Sequence, residues 1–465
     1  MLAACAVGPD YRQPDAGMPS AWQAAVPHGG QQAGLIGWWS QFNDPALTRL
    51  LQAAETDSPT LEKSAAVIAQ SRAAITSTRA GYYPTLDGRA SSTAASATPP
   101  LTGTQTTTGV AIDAAWEIDL FGSVSRATEA AQARLQGAEV DWHQARVSLA
   151  AEVASNYTNY RACQRLVAAT QRETDSRRET ARLTSITVDA GFTSPADGNL
   201  AIASAASAAS SLIAQQAQCD LTIKALVALT GMDEAALRGV LGTSDALPVP
   251  GEFTVTSLPV GLISQRPDLA SAERALAAAN AEVGVAEANR YPRLALTGSI
   301  SYGVVTLSGS SREASAWSFG PSLTVPLFDA GRRRAEVTAA EARYDQALAN
   351  YRLAVRNAVK EVEQALVNLD SSARREADAQ TAMDSSQRYY RAVEINWRSG
   401  GVNLLTLEEA RRTANTAEVT LIGVQRDRVL NWISLYKALG GDWQQNAGTG
   451  PVAQSQATRS NGETR

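Results

Sequence analysis

Three cysteines, Cys5, Cys163 and Cys219, carry most of the covalent chemistry open to this chain of 465 residues. Two of them are spaced for a disulfide. The run Gly191-Phe192-Thr193-Ser194-Pro195 interrupts a long helical pattern, with Cys163 lying 28 residues before Gly191 (191 − 163) and Cys219 lying 28 after it (219 − 191). An antiparallel hairpin folded there brings both to one height, where Cα atoms can approach the ~5.5–6 Å that a disulfide needs. In an oxidising compartment this predicts a Cys163–Cys219 bond. The alternative is a pair of buried, reduced thiols on different helix faces. Other chemistry is scarce. His28 and His143 are the only histidines, so the chain has neither a His-Glu-x-x-His zinc site nor material for a nucleophilic triad. No glycine loop ending in Lys-Ser or Lys-Thr is laid out to cradle phosphate. The acidic residues recur at helical surface spacing, as solvated faces do. The inventory reads as a non-enzyme that needs no cofactor or metal.

The elements that position these residues are written twice. Pro84 in Tyr-Tyr-Pro-Thr-Leu answers Pro292 in Arg-Tyr-Pro-Arg-Leu (292 − 84 = 208), and Leu120-Phe121 answers Leu327-Phe328 (328 − 121 = 207). Gly231 answers Gly440 (440 − 231 = 209). Two long copies argue for a pseudo-symmetric shell, since a solenoid needs several short ones. Aromatics at 6% and a mean hydropathy of −0.18 are lean for a compact core of this size, whereas alanine abounds. Long helices packed through small side chains fit that composition. A net charge of −5, from 41 basic and 46 acidic residues, leaves no electrostatic footprint for nucleic acid. Arg332-Arg333-Arg334, the one dense basic run, reads as a solvated helix start.

Four segments switch to two-residue periodicity. In the second, Val110, Ile112, Ala114, Trp116 and Ile118 share one face, and Ala111, Asp113, Ala115 and Glu117 the other. In the third, Leu294, Leu296, Ile300, Tyr302 and Val304 oppose Ala295, Thr297, Ser299 and Ser301; in the fourth, Trp317, Phe319, Leu323 and Val325 oppose Ser318, Gly320, Ser322 and Thr324. The first, over residues 86–94, alternates poorly and is read from its correspondence to the third. Each is about ten residues long, the reach of a tilted strand across a bilayer. Apolar outside, small and polar inside, is the pattern of a transmembrane barrel around water; a soluble sandwich is the competing reading. In a barrel Asp113 and Glu117 face the lumen, where they hydrate the wall or favour cations. Tyr82, Tyr83, Phe121, Tyr291 and Phe328 mark strand ends, the place of an aromatic belt. Four strands cannot close a barrel, because the smallest bacterial ones have about eight. Several chains must share one.

Between the strands the pattern is helical and long. Residues 123–190 hold no proline and a single glycine, Gly137, while residues 332–399 hold neither. Tyr344, Leu348, Tyr351, Val355, Ala358, Val362, Ala365 and Leu369 step by fours and threes, a heptad seam that buries one stripe against a neighbour. Val359 and Leu366 widen it. Gly191 and Gly400-Gly401 then turn each long helix back on itself, and returning helices run to Gly231 and Gly440. Shorter helices are expected near residues 61–80 and 267–289.

These stretches carry a resemblance. Leu2-Ala3-Ala4-Cys5 resembles a bacterial lipobox, in which the cysteine is cleaved and acylated; a chance cysteine is the alternative. One acyl chain anchors weakly, so stable anchoring needs several. The basic and apolar parts of a signal peptide are missing, which predicts trimming or a true start upstream. Then come Gly8-Pro9-Asp10-Tyr11, Trp38-Trp39 to Leu47, Trp116-Glu117-Ile118-Asp119-Leu120-Phe121-Gly122, Arg266-Pro267-Asp268-Leu269 with Ala272-Glu273, Val325-Pro326-Leu327-Phe328-Asp329-Ala330-Gly331, and Leu435-Tyr436-Lys437-Ala438-Leu439-Gly440-Gly441. In that order the chain resembles outer-membrane efflux factors of the TolC family, in the lipoprotein branch often called NodT-type.

The resemblance implies a mainly α fold with a transmembrane β part. Three chains of four strands would close a twelve-stranded outer-membrane barrel, continued by a periplasmic α-helical barrel. It implies a homotrimer in outer-membrane lipid, docked to a periplasmic adaptor (membrane fusion) protein and a proton-driven inner-membrane transporter that supplies the energy. The segments would be residues 1–4 as signal-peptide remnant, 5–58 as lipid-anchored N-terminal segment, 59–250 and 251–443 as the two repeats, and 444–465 as a disordered tail. In relatives a leucine, an acid and an arginine just past the second bend close the resting aperture. By position these are Leu405 as hydrophobic plug, Glu409 as acidic ring and Arg412 as its tether, spaced four and three apart on one helical face. An ordinary solvated helix start is the bland alternative. The expected function is passive conduction of small molecules from periplasm to exterior. A secretion conduit for polypeptides, and a periplasmic coiled-coil scaffold or adaptor, are the alternatives.

Overall fold

The structure is a computed structural model that describes residues 6–15, 23–24, 38–96, 104–249, 266–307 and 310–441. Cys5, the signal-peptide remnant, His28 and residues 444–465 lie outside the described residues. Helices α1 (Pro45–Thr56) and α2 (Pro59–Arg79) lead into strands β1 (Thr85–Ser96) and β2 (Thr104–Ile118). Helix α3 (Ser123–Asp189) turns back as α4 (Pro195–Thr230), and a short α5 (Glu234–Leu241) follows. The order then recurs: α6 (Pro267–Ala288), β3 (Arg293–Leu307), β4 (Ser310–Thr324), α7 (Arg332–Arg398) and α8 (Leu404–Ala438). Among the described residues no helix is long and apolar enough to cross a membrane.

The strands run to 12, 15, 15 and 15 residues, longer than the ten expected. The added residues at the start of β2 and β4, Thr104–Gly109 and Ser310–Ala316, are mostly polar or small, so the hydrophobic alternation lapses there while the hydrogen-bonded ladder continues. The helix ends lie within a residue or two of expectation. Helices α1 and α5, and a 3-10 turn at Trp38–Phe42, were not anticipated.

The chain divides into two compact units, each drawing on both halves of the repeat. Unit 1 takes described residues from Met1–Ala16, Ser64–Asp141 and Leu269–Ala354, and contains the whole sheet. Its order is β1-β2-β3-β4, antiparallel throughout, so the central β2–β3 pairing joins one half to the other. Its helices meet through small residues: Ala133 packs on Ala277 and Ala278, with Tyr11 against them. The N-terminal stretch is tied down here. Val7 N–H donates to Phe121 O at 3.1 Å, and the buried Arg126 donates to Val7 O, Gly8 O and Asp10. Gly8 is required at its place, since its φ is +92° and a Cβ there would lie 2.5 Å from Gly284 Cα.

Unit 2 takes Gly17–Lys63, Trp142–Asp268 and Val355–Arg465. Its core is aromatic. Trp38 stacks on Tyr436 at 5.5 Å and tilts against Trp432 at 6.2 Å. Asp44 caps α1 by accepting from the Ala46 and Leu47 N–H groups, and its other oxygen accepts from the Tyr157 hydroxyl at 2.6 Å. Burial and that carboxylate push the Tyr157 hydroxyl well above its ordinary range. In the expected seam, Val355, Ala358, Val362, Ala365, Leu366 and Leu369 are all buried. Arg266 is buried as well, donating to Asp268, Glu361 and Ala438 O. Burial alone would lower its pKa, but the two carboxylates outweigh that and raise it.

Candidate functional site

Two places carry the expected functional residues: the sheet of unit 1 and the hairpin bends of unit 2. In the sheet, register pairs like with like. Ile112, Ile300 and Trp317 form one row across three strands, and Ala114, Gly298 and Phe319 the next. On the opposite face Asp87, Asp113, Ser299 and Ser318 line up across all four. Strand pleating makes each row one face. The apolar face is open, with Ile112 59%, Ile300 69% and Trp317 80% exposed. So large an apolar surface is not left to water in a stable protein.

Asp113 stands opposite Asp87, yet Arg89 lies 3.3 Å from it; Glu117 has Arg293 at 3.9 Å. The sequence reading missed both arginines. Position 89 shares the two-residue phase of Asp87, and that phase was the available signal. Exposed pairs of this kind contribute little stability, about 0–1 kcal/mol. Their effect is to temper the negative charge of the polar face. At the strand ends Phe121 and Tyr291 stack at 4.6 Å, the Trp116 indole N–H donates to Tyr82 O at 3.0 Å, and Tyr83 and Phe328 are exposed.

The family-like motifs at the strand-to-helix turns gain physical roles. Asp119 accepts from the Val124 and Ser125 N–H groups at the start of α3. Asp329 accepts from Gly331 and Arg333 N–H at the start of α7, and the Arg333 guanidinium is 3.0 Å away. Desolvation works against its charge, but these donors prevail and hold its pKa below the usual range.

Both bends are built alike. Gly191 and Gly400 take φ of +79° and +77°, and each returning helix has a polar cap: Ser194 accepts from Asp197 N–H, and Asn403 from Thr406 N–H. Beyond the first bend, Cys163 of α3 and Cys219 of α4 are joined as a disulfide with Cα atoms 5.6 Å apart.

Beyond the second bend α8 presents two faces. Leu405 is 57% exposed, and Glu409 and Arg412 are exposed beside it, so the three expected residues share the outward face. Within the chain Glu409 and Arg412 do not pair with each other, nor do their charged groups find another partner among the described residues. The inward face was not foreseen. Leu404, Leu407 and Ala410 pack with Ala201 and Val393. Between them Arg411, 3% exposed, bonds Glu408 and donates to Thr180 Oγ1 at 2.8 Å, with its guanidinium 5.7 Å above the Tyr390 ring. Glu408 also accepts from Ser204 Oγ at 2.8 Å and faces Arg177 at 3.4 Å; Arg177 in turn donates to Ser204 and Glu173. Tyr390 shares a 2.9 Å hydrogen bond with Ser176. The signal was present in Glu408-Glu409-Ala410-Arg411-Arg412, where each charge occurs twice, once per face.

Among the described residues no group of three or more His, Cys, Asp or Glu could hold a metal. His143 packs edge-on against Trp142 at 5.0 Å.

With these features in view, comparison with known proteins is informative. The family described as "Outer membrane efflux protein" matches residues 50–232 and again 258–441, once in each half of the repeat. Outer membrane protein OprJ of Pseudomonas aeruginosa is 31% identical over 96% of this chain and 94% of its own length. Nodulation protein T of Rhizobium leguminosarum bv. viciae is 27% identical over 95% and 91%. Among solved structures, the outer-membrane channel OprN superposes with a TM-score of 0.82 at 30% identity, covering 95% of this chain and 100% of that one. The chain belongs to the outer membrane efflux protein family.

Proposed function

We propose that three copies of this chain pool their sheets into one closed barrel in the outer membrane. The chain is the exit duct of an efflux pump, passing small molecules from periplasm to exterior without chemistry of its own. The observation that carries this is the sheet: four strands with an open apolar face, a polar face opposite, and two edges, β1 and β4, left to pair. In lipid an unpaired edge costs several kcal/mol per backbone group, so only closure is stable. Pairing β4 of one copy with β1 of the next closes it. The polar rows through Asp113 and Glu117 then line the water path, with Arg89 and Arg293 moderating their pull on cations.

The helical hairpins line the periplasmic part and meet a periplasmic adaptor and a proton-driven inner-membrane transporter. Acylation of Cys5 adds a lipid anchor. Leu405, Glu409 and Arg412 form the resting aperture: without partners among the described residues, the acid and the arginine can meet their counterparts on neighbouring copies. The Cys163–Cys219 bond staples the first hairpin.

The test is purification and reconstitution. Membrane extracts in detergent should give a heat-modifiable trimer band and discrete channel openings in planar bilayers, and the gene should restore small-molecule efflux to cells lacking their own duct. A water-soluble monomer obtained without detergent would overturn the reading. Export of polypeptide but not of small molecules would replace it with the secretion conduit.

A further inference from the structure

We propose that a cavity of unit 2, between α3, α7, α8 and the stretch after α5, binds a small amphipathic organic anion, a monocarboxylate of about the size of benzoate. The site depends on neither the barrel nor the aperture.

The cavity measures about 160 Å³, comparable with the ~150 Å³ of an engineered cavity that takes up benzene. One side of it is apolar. Trp432 and Val429 of α8, both buried, face it together with Leu247 and Val249 of the stretch after α5. Leu247 packs against Ala162, Ala169 and Ile422, and Val249 is 64% exposed, so this wall reaches solvent. The other side is charged. Arg428 donates to Glu376 at 2.5 Å. The Gln425 amide spans the wall, donating to Glu376 at 3.3 Å and accepting from Arg165 at 2.8 Å.

The charges of this wall do not cancel. Arg165 and Arg428 against Glu376 leave one positive charge, and it resides on Arg165, with which no carboxylate pairs among the described residues. A neutral amide oxygen engages one of its five N–H groups and leaves the others for a further acceptor. The side chain is half-buried, so part of its water is gone. An anion there would be held by charge-assisted bonds, which are stronger than neutral ones.

The occupant therefore carries a single negative charge at one end and an apolar body at the other. Inorganic phosphate satisfies only the charged wall, and a neutral aromatic only the apolar one. A planar carboxylate matches the guanidinium fork, and a ring matches the volume. Apolar walls with a few placed polar groups are the usual build of a small-molecule site. Once bound, the anion would bridge α3 and α8 to the stretch after α5, which is already tied to α3 by the Arg161 bond to Ser244 O.

Amide hydrogen exchange of the full chain in detergent at neutral pH, titrated with benzoate, benzyl alcohol or inorganic phosphate, tests this. Benzoate should slow exchange over residues 243–249 and 425–432 with a dissociation constant on the order of a millimolar. The other two probes should act at least tenfold more weakly. Arg165→Gln should weaken benzoate at least tenfold, and Arg165→Lys by less, since an ammonium keeps the charge without the fork. Glu376→Gln removes the one negative charge of the wall and should tighten benzoate several-fold, which a merely structural role would not produce. Val249→Asp, at an exposed position, should weaken benzoate several-fold and serves if Arg165→Gln fails to fold. No protection of the parent by benzoate well above a millimolar would mean that the chain itself or a second copy fills the cavity, and overturns the proposal. Equal protection by benzyl alcohol or by phosphate also overturns it, as does benzoate binding that Arg165→Gln leaves unchanged.

Discussion

The two bends share a backbone and differ in chemistry. Each reverses at a glycine of nearly equal φ and restarts under a one-residue polar cap. Past the first, the helix opens on Pro195 with Gly198 buried against Val188, and Phe192 at the turn is 87% exposed. Past the second come four charges within five residues: buried Arg411 and partly buried Glu408 in a network, Glu409 and Arg412 exposed. The first hairpin carries a covalent staple, whereas the second has no cysteine at all. The repeat therefore preserved the turn, which backbone geometry dictates, and let the side chains diverge. One arm is cross-linked, and the other carries duplicated charges on two faces.

The comparison can be broken at several points. Replacing Cys163 and Cys219 by serine should cost about 4 kcal/mol, the closure entropy of a loop of 56 residues. The loss should register as faster amide exchange in α3 and α4 and not in α7 and α8; peptide mapping without reductant that finds both thiols free would remove the premise. Glu409→Ala with Arg412→Ala should enlarge resting conductance several-fold, whereas Asp197→Ala with Asn199→Ala at the first bend should leave it alone. Equal responses would show that the bends are not specialised. Gly191→Ala and Gly400→Ala should each cost about 1–2 kcal/mol and by similar amounts, because an added Cβ meets nothing within 4 Å at either place and only the left-handed backbone is felt. Ser194→Ala and Asn403→Ala should each cost about 1 kcal/mol in thermal melts. A large disparity in either pair would mean that the turns are not equivalent after all.

A pH ramp separates both bends from the aromatic core. Burial and Asp44 raise the Tyr157 hydroxyl above its ordinary value near 10. Because the folded value is the higher one, its contribution is intact below about pH 10 and is lost as pH rises through the raised value. The melting temperature should fall on that alkaline limb, and Tyr157→Phe should flatten it.

Much of this was legible in the chain itself. The alternation of Val110 to Ile118 and its counterparts placed the strands, and the seam from Val355 to Leu369 is buried as its spacing requires. The starts of β2 and β4 ran past the pattern because their polar and small residues pair in a ladder without showing a hydrophobic period. The helix Pro45–Thr56 escaped notice because it is short; its stability comes from packing Leu47 and Leu50 into the core and from the Asp44 cap, both tertiary. That β2 of one half pairs with β3 of the other could not be read from either half alone.

Periodicity, glycine placement and cysteine spacing are local properties, and they sufficed for element type, for the turns and for which residues share a face. Choosing between twins was beyond them. Glu408 and Glu409, or Arg411 and Arg412, have the same chemistry and adjacent positions, so nothing along the chain ranks one above the other. Only the approach of Thr180, Tyr390 and Ser204 from other helices drew Arg411 into burial and Glu408 into partial burial, and left their neighbours exposed. A buried charge needs partners from several directions at once, and those directions exist only after the helices have packed.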